Sequence, residues 1–590
     1  MAVENLITEH IDIWTSAVKT KSTSGRGSSK KLELYGVKKL RELILELAVR
    51  GKLVPQDPND EPASLLLERI TEEKKRLVKD KLIPRTKVLP PINEDELPID
   101  LPSGWAVVRL GELTSKLGSG STPRGGKNAY TSEGIPFLRS QNVRNEGIKL
   151  DDIAYISDEI HQKMENTKVL PGDVLLNITG ASLGRSTIFP SNLVEANVSQ
   201  HVTIIRLIES QMNQFIHLGI LSPMVQQLVW GRQVGMAIEG LSKKVLEMFE
   251  FPIPPIAEQH RIVAKVDELM ALCDQLEQQT ETSIEAHQML VTTLLDTLTN
   301  SADADELMQN WARISEHFDT LFTTEESIDQ LKQTILQLAV MGKLVPQDPS
   351  DEPAAELLKR IAEEKAQLVK DKKIKKQKAL PPISEDEKPF ELPSGWEICR
   401  LGELLPQFQN GASSRGDKEG NEIVVLRLAD IKDWQISLDD TRSIVIERKS
   451  IERYSLQEGD VLIIRVNGSA DIVGRFVTCH EDYDAIYCDH FIRMRFPVEC
   501  YMPSFLSLLG SSSIIREKIA DLFISTAGQK TVNQTHISSL ITVLPPIKEQ
   551  LRIINKVDKL LSICNQLKVR LKESKSTQLQ LTDTIVKQAV

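Results

Sequence analysis

The chain has 590 residues, 41% of them hydrophobic and 26% charged, an ordinary balance for a globular protein and length enough for about four domains. No apolar run reaches the ~18 residues that a membrane helix needs, and the start, Met1-Ala-Val-Glu-Asn-Leu, lacks the features of a signal peptide. The net charge of −11 excludes a chain that is basic throughout, so any DNA contact must come from local basic loops or from partner subunits.

In chain order, residues 1–40 read as a short amphipathic helix and a polar linker, Lys21 to Lys30, whose Ser/Gly-rich composition fits a solvated tether better than a DNA contact. A helix is expected from about Val37 to Arg50. Its apolar stripe is Leu40, Leu43, Leu47 and Val49, and Gly51 stands at the left-handed C-cap position. Pro55 and Pro58 stop it, and a second helix over Pro62–Lys79 carries Leu65, Leu66, Ile70 and Leu77. The pair reads as a helical hairpin within residues 41–103.

Residues 104–253 change character. Short β-type runs (Trp105–Leu110, Gly134–Leu138, Asp173–Ile178, Val202–Leu207) alternate with Gly/Ser/Asn-rich loops, and a helical patch covers Gln211–Trp230. A long helix follows with a heptad-like seam of Ile262, Val266, Leu269, Cys273, Leu276, Thr280, Ser283, His287, Leu290 and Leu294.

The same plan then repeats. Gly51-Lys-Leu-Val-Pro-Gln-Asp-Pro-Asn-Asp-Glu-Pro-Ala63 returns at Gly342–Ala354, Leu101-Pro-Ser-Gly-Trp105 at Leu392–Trp396, and Pro254-Pro-Ile-Ala-Glu-Gln259 at Pro545–Gln550, each 291 residues later. Residues 254–394 therefore hold the first long helix and a second hairpin (Ser327–Met341, Pro353–Lys370). Residues 395–544 hold a second globular part with strands near Ile423–Leu428, Asp460–Val466 and Phe491–Phe496. Residues 545–590 hold a second long helix, with a seam of Ile553, Val557, Leu560, Cys564, Leu567, Leu571, Ser574, Gln578, Leu581 and Ile585. Between the repeated motifs the two globular parts diverge to a shared pattern: Phe137-Leu-Arg139 faces Val425-Leu-Arg427, and Gly172-Asp-Val-Leu175 faces Gly459-Asp-Val-Leu462. Two like segments and two unlike ones imply two copies of one partner and two different targets. The expected fold class is α+β: two globular α/β domains separated by a long antiparallel two-helix coiled coil, with helical hairpins and a pseudo-two-fold repeat.

Catalytic signatures are missing. Ser121-Thr-Pro-Arg-Gly-Gly126-Lys127-Asn128 fails as a phosphate-binding loop at the first glycine and the last hydroxyl. Every Pro-Pro follows Leu or Ile, so the Asn/Asp-Pro-Pro-aromatic segment of an amino-methyltransferase is absent, and so are a zincin helix and a nucleophile elbow. Cys479, His480, Cys488 and His490 lack the paired spacing of a structural zinc site, and His201 matches His490 without a cysteine, so a packing or hydrogen-bonding role is expected and no metal. The six scattered cysteines fit a reducing cytoplasm.

What remains is recognition chemistry: Arg, Lys, Asn, Gln and Ser on glycine-rich loops, the residue types that read base edges. In the first globular part these are Arg124, Lys127, Arg139, Gln141, Asn142, Arg144 and Ser182. In the second they are Asn410, Arg415, Lys418, Arg427, Arg465, Asn467, Ser469, Gln529, Lys530 and Asn533.

The doubled arrangement, each variable part preceded by Leu-Pro-Ser-Gly-Trp and followed by Pro-Pro-Ile-x-Glu-Gln and a long helix, resembles the specificity subunit of type I restriction–modification enzymes. The block Leu-Ala-Val-x-Gly-Lys-Leu-Val-Pro-Gln-Asp-Pro is similar to the type IB branch. The resemblance implies two target-recognition domains, each reading half of a bipartite site in double-stranded DNA. It implies repeated helices that dock two methyltransferase subunits, with two motor–nuclease subunits joining for cleavage. It also implies a non-catalytic chain without cofactors of its own, S-adenosylmethionine, ATP and Mg being expected on the partners. A protein-binding tandem-repeat scaffold is the alternative reading.

Overall fold

The computed structural model describes every residue except 1–2, 23–29, 86, 94–99, 234–239, 303, 373, 375–379, 414, 433, 498–500 and 527. It is a mixed α/β structure of two compact units, one of residues 1–283 with 574–590 and the other of residues 284–573.

In the first unit, the Tyr35–Val49 helix buries Leu40, Leu43, Leu47 and Val49 as its periodicity predicts, and Gly51 caps it at φ +66°. A side chain there would meet the Trp105 ring at 2.9 Å, so the glycine serves both the left-handed turn and a close approach. Here the three repeated motifs converge. Gln56 Nε2 donates to Gly51 O (2.7 Å) and to Glu258 (3.3 Å), Trp105 Nε1 donates to Glu258 (3.1 Å), and Arg261 pairs with Asp60 at 2.6 Å. The second unit repeats the joint: Gln347 donates to Gly342 O and Glu549, Arg552 pairs with Asp351 at 2.7 Å, and Gly342 abuts Trp396. Burial is the largest influence on the Glu258 and Glu549 carboxyls and raises both above the usual range. Motifs far apart in sequence are thus one interlocked knot in space.

The helix pairs are not packed hairpins. The Tyr35–Val49 helix lies on the Asn213–Leu221 and Pro223–Gly231 helices of the globular part. The Ala63–Lys79 helix turns instead to Leu110–Leu113, where Lys74 Nζ donates to Gly111 O at 2.6 Å. Leu65, expected on its apolar face, is 44% exposed, while Leu66 and Ile70 are buried. The 13 residues between the helices wrap the Trp105 knot, which leaves too long a reach for a tight pair. In the second unit Glu325–Val340 likewise packs on Pro503–Ser511 and Ser513–Asp521.

Each globular part opens and closes with paired strands. Ala106–Arg109 runs antiparallel to Glu250–Ile253, and Glu397–Arg400 to Ile541–Leu544. Between them the first part builds an antiparallel sheet from Thr114–Ser119, Val202–Leu207, Val174–Asn177 and Ser186–Ile188. A mixed sheet stands beside it, in which Ile135–Leu138 runs parallel to Ala196–Val198. The second part repeats both arrangements with Gln407–Asn410, Phe491–Arg495, Val461–Ile464 and Phe476–Thr478, and with Asn421–Leu426 parallel to Ala485–Tyr487.

Two expectations need correction. The N-terminal region is two helices, Val3–Glu9 and Ile11–Ser16, with Trp14 fully buried, followed by an antiparallel ribbon of Lys19–Ser22 and Lys30–Glu33. Of the expected tether, residues 23–29 lie outside the described residues, while both its flanks are strand. The long helices, Ile256–Asn300 and Ile547–Ala589, follow the expected seam through Thr280 and Leu571 and then drift. Leu290 and Leu581 are 50% and 43% exposed, and Val291 and Thr582 are buried instead. The seam slips by one residue at matching places in both copies, as happens when four-residue steps follow one another and the stripe rotates around the helix.

Candidate nucleic-acid interface

At one end of each antiparallel sheet the chain makes the same set of backbone bonds. In the first part Gly120 N donates to Val202 O, Ile178 N to His201 O (3.0 Å) and Leu241 N to Ile178 O (2.9 Å). In the second, Gly411 N donates to Phe491 O, Arg465 N to His490 O (2.7 Å) and Val532 N to Arg465 O (3.0 Å). The glycines are required because a Cβ on Gly120 would lie 1.9 Å from Val198 O, and one on Gly411 2.1 Å from Cys488 O. This shared frame displays different side chains. Ile178 stands where the second part has Arg465, Thr179 where it has Val466, Gln200 where it has Asp489, and Ser119 where it has Asn410.

Around the second tip the structure gathers several of the predicted residues. Asn467 pairs in register with Lys530 on a three-stranded ribbon that includes Gln529 and Ile524–Thr526. Arg465 is half-buried, and its guanidinium reaches Asp489 O at 3.5 Å. Asn410 accepts from Gln534 Nε2 at 3.0 Å, and Ser469 N donates to the Asn467 side chain. At the first tip Thr179 Oγ1 and His201 Nδ1 lie 2.7 Å apart, Thr122 Oγ1 donates to Gln200 at 3.4 Å, and half-buried Ser182 closes the short turn after Thr179. Arg124 and Lys127 are exposed on the loop after Ser119, and Arg415 and Lys418 on the loop after Asn410. These are donors and acceptors on close-approaching backbone, the equipment for hydrogen bonding to base edges and phosphates.

Other predicted positions are spent inside the domains. Arg139 Nη2 donates to Asp152 O and Arg427 Nη2 to Asp440 O, both at 2.7 Å. Their backbone nitrogens donate to the side chains of Asn142 and Asp430. Arg139 and Arg427 are thus equivalent loop pins, and a bond made identically in both copies does not tell two targets apart. Asn142 is 1% exposed and holds Lys149 O through its amide. Arg144 Nε donates to Gln141 O, and Gln141 Nε2 to Asp152. Asn533 caps the Gln534–Ser539 helix by accepting from His536 N at 2.9 Å. Residue type and spacing do not reveal such internal use. Sequence reasoning passes over Gln200, Gln534 and, as a tip residue, His201; the aligned pair Gln200-His201 and Asp489-His490 is the available signal.

Deeper in, Arg206 pairs with Asp173 (2.7 Å) and Arg495 with Asp460 (2.6 Å), in each copy with the carboxylate buried. Lys116, half-buried beside Arg206, is pushed down to about 8, chiefly by desolvation and then by that positive neighbour, and its second-copy partner is the neutral Gln407. Among the described residues Cys488, Asp489 and His490 come close enough to offer three ligands to an ion. Burial lifts the Cys488 thiol to about 11 and Cys479, in the core, to about 12, and His480 is exposed and outside the group.

Residues 102–286 match the family described as the type I restriction modification DNA specificity domain. The chain is 42% identical over 603 residues to the EcoEI specificity subunit of a type I restriction enzyme from Escherichia coli, covering 100% of both chains. The chain belongs to the type I restriction enzyme specificity subunits. It is also 42% identical to the EcoAI specificity subunit of Escherichia coli over 606 residues, again with 100% of both chains covered. Among solved structures it is similar to the HsdS subunit from Thermoanaerobacter tengcongensis (TM-score 0.40, 18% identity, 83% of this chain and 97% of that one). Another, from work on assembly and conformational transition of the type I R-M system, gives TM-score 0.46 and 18% identity over 83% of this chain and 98% of that one.

Proposed function

We propose that this specificity subunit reads a bipartite site in double-stranded DNA, the first recognition domain (residues 104–253) taking one half and the second (395–544) the other. The carrying observation is the pair of sheet tips: one backbone frame, held by equivalent bonds, presenting Ile178, Thr179 and Gln200 in one domain and Arg465, Val466 and Asp489 in the other. A shared frame with exchanged side chains is what two readers of different base sequences need. The residues assigned to base or phosphate contact are Asn410, Arg465, Asn467, Ser469, Gln529 and Lys530 in the second domain, and Ser182, Arg124 and Lys127 in the first, with Arg415 and Lys418 on the flanking loop.

The 45- and 43-residue helices, each divided between the two units, are the proposed antiparallel ruler that sets the spacer between half-sites. The two Trp–Glu–Gln knots, alike in both units, support docking of two identical methyltransferase subunits, with two motor–nuclease subunits completing the complex in the cytoplasm. Methyl transfer, translocation and their cofactors (S-adenosylmethionine, ATP and Mg) belong to those partners in this reading.

The test is co-expression of the chain with its methyltransferase subunits, mapping of modified adenines, and replacement of residues 106–253 by the domain of another family member. One half of the modified site should change and the other stay. A change in both halves, or no sequence preference at all, would overturn the reading in favour of a protein-binding scaffold.

A further inference from the structure

The turn between the mixed and the antiparallel sheet is built on one backbone in both recognition domains and fitted with different side chains. In the first domain Ser199 N donates to Leu138 O (2.9 Å) and Val202 N to Ser199 O (3.0 Å). In the second, Cys488 N donates to Leu426 O and Phe491 N to Cys488 O, both at 3.0 Å. Equivalent bonds thus set Ser199, Gln200 and His201 against Cys488, Asp489 and His490. The neighbour on the next strand changes with them. Thr179 Oγ1 lies 2.7 Å from His201 Nδ1, whereas the second domain has Val466 at that place and no hydroxyl to offer.

His490 Nδ1 faces its own turn instead. It lies 3.6 Å from Cys488 Sγ and 3.4 Å from Asp489 Oδ1, and one ligand atom from each of the three residues falls within 4.8 Å of the others. These separations are the edges of a coordination tetrahedron. With zinc about 2.3 Å from sulfur and about 2.0–2.2 Å from nitrogen and oxygen, ideal angles give about 3.6 Å between sulfur and nitrogen and about 3.4 Å between nitrogen and oxygen. A single Nδ1, with one proton or one lone pair, serves at best one of its two neighbours well, whereas a metal ion satisfies all three groups. Cys488 is buried, His490 half-buried and Asp489 exposed, so the set runs from core to surface and leaves one side to solvent.

We propose that Cys488 Sγ, a carboxylate oxygen of Asp489 and His490 Nδ1 bind one divalent transition metal of the zinc class, with water as fourth ligand, in the second recognition domain only. Thiolate, imidazole and carboxylate together suit zinc rather than magnesium or calcium. Binding exchanges a proton for the metal: the Cys488 S–H proton leaves to solvent, while neutral His490 and ionised Asp489 bind as they stand. Thiolate and carboxylate then balance the charge of the dication. Sequence spacing argues against a metal held by Cys479, His480, Cys488 and His490; the folded turn offers another set, without Cys479 and His480 and with Asp489 added. The turn supports the reading tip, since Arg465 N donates to His490 O (2.7 Å) and Ala412 N to Tyr487 O (2.9 Å). The metal therefore stiffens the seat of Arg465 and of the loop after Asn410. This consequence, unlike the site itself, rests on the reading of the tips as base-recognition surfaces.

The full chain, stripped of metal and kept under a reductant, is titrated with cobalt(II) alone. One cobalt per chain should bind with a sulfur-to-cobalt charge-transfer band, zinc should displace it, and C488S and H490Q should each lose the band. D489N changes an exposed side chain and leaves the buried thiol in place, so it should keep the fold by circular dichroism. It should weaken cobalt binding more than about 100-fold, beyond the cost of losing a partner behind a ligand. A wild-type chain without the band would overturn the site. So would a band that persists in C488S, or cobalt affinity unchanged in D489N. Adenine mapping with the methyltransferase subunits then tests the consequence: C488S should relax the half-site of the second domain and leave the other as it was. Loss of the metal with both half-sites intact would overturn its support of reading and leave the site standing. A wild-type complex that binds the metal and shows no sequence preference would sink the base-reading proposal instead.

Discussion

The two recognition domains agree in what holds them together and disagree in what they show. Asp173–Arg206 and Asp460–Arg495 occupy one place in the sheet, Arg139 and Arg427 pin one loop, and Gly120 and Gly411 permit one close crossing. At the tip the frame stays and Ile178 becomes Arg465. Identity marks scaffold, and difference marks the surface proposed to read. The comparison also separates two kinds of arginine that look alike in sequence: those bonded the same way twice, and one that has no counterpart.

Breaking the buried pairs gives the largest effect. Asp173→Ala and Asp460→Ala each leave an arginine without its carboxylate and should cost about 3–5 kcal/mol, equally in both domains, measured by denaturant unfolding of the full chain. Unequal losses would show that the two frames are not equivalent. Arg139→Ala and Arg427→Ala should each cost about 1 kcal/mol and leave the methylated sequence unaltered. Lys530→Ala, by contrast, should stay within about 0.5 kcal/mol of wild type and relax one half-site, as read by adenine mapping.

A pH-dependent effect, confined to one domain, sharpens a difference. Lys116 is lowered to about 8 in the fold and returns to its ordinary 10.5 on unfolding. Between those values the unfolded chain holds more protons, so the first domain should gain stability as pH rises from about 8 to 10.5. After discounting for solvent at this half-buried site the gain is about 1 kcal/mol. Lys116→Gln copies the second domain at Gln407 and should abolish that rise; a rise that survives the substitution would assign it to another group.

The repeat, the Gly51 and Gly342 caps, the main strands and the start of each long-helix seam are legible in the sequence, because each depends on local pattern. The ribbon at Lys19–Glu33 is not, since Ser, Gly and Lys carry little strand preference and the pairing is fixed by the packed Trp14 base. The seam beyond Thr280 is ambiguous in sequence because Ser283 and Ile284 compete for one face, and burial settles it on Val291 rather than Leu290. Asn142 and Asn533 pass for outward-facing readers because an amide that caps a loop or helix looks the same in sequence as one that reads a base.

Each recognition domain begins and ends on neighbouring strands, with Ala106 opposite Ile253 and Glu397 opposite Leu544. A unit whose two ends meet can lengthen, shorten or be replaced without displacing what lies outside it. Insertions and deletions within residues 106–253 and 397–544 are thus taken up inside each domain, while the strand pairs that open and close it stay in register. The junction works as a socket: new reading surfaces plug in, and the rods behind them are undisturbed.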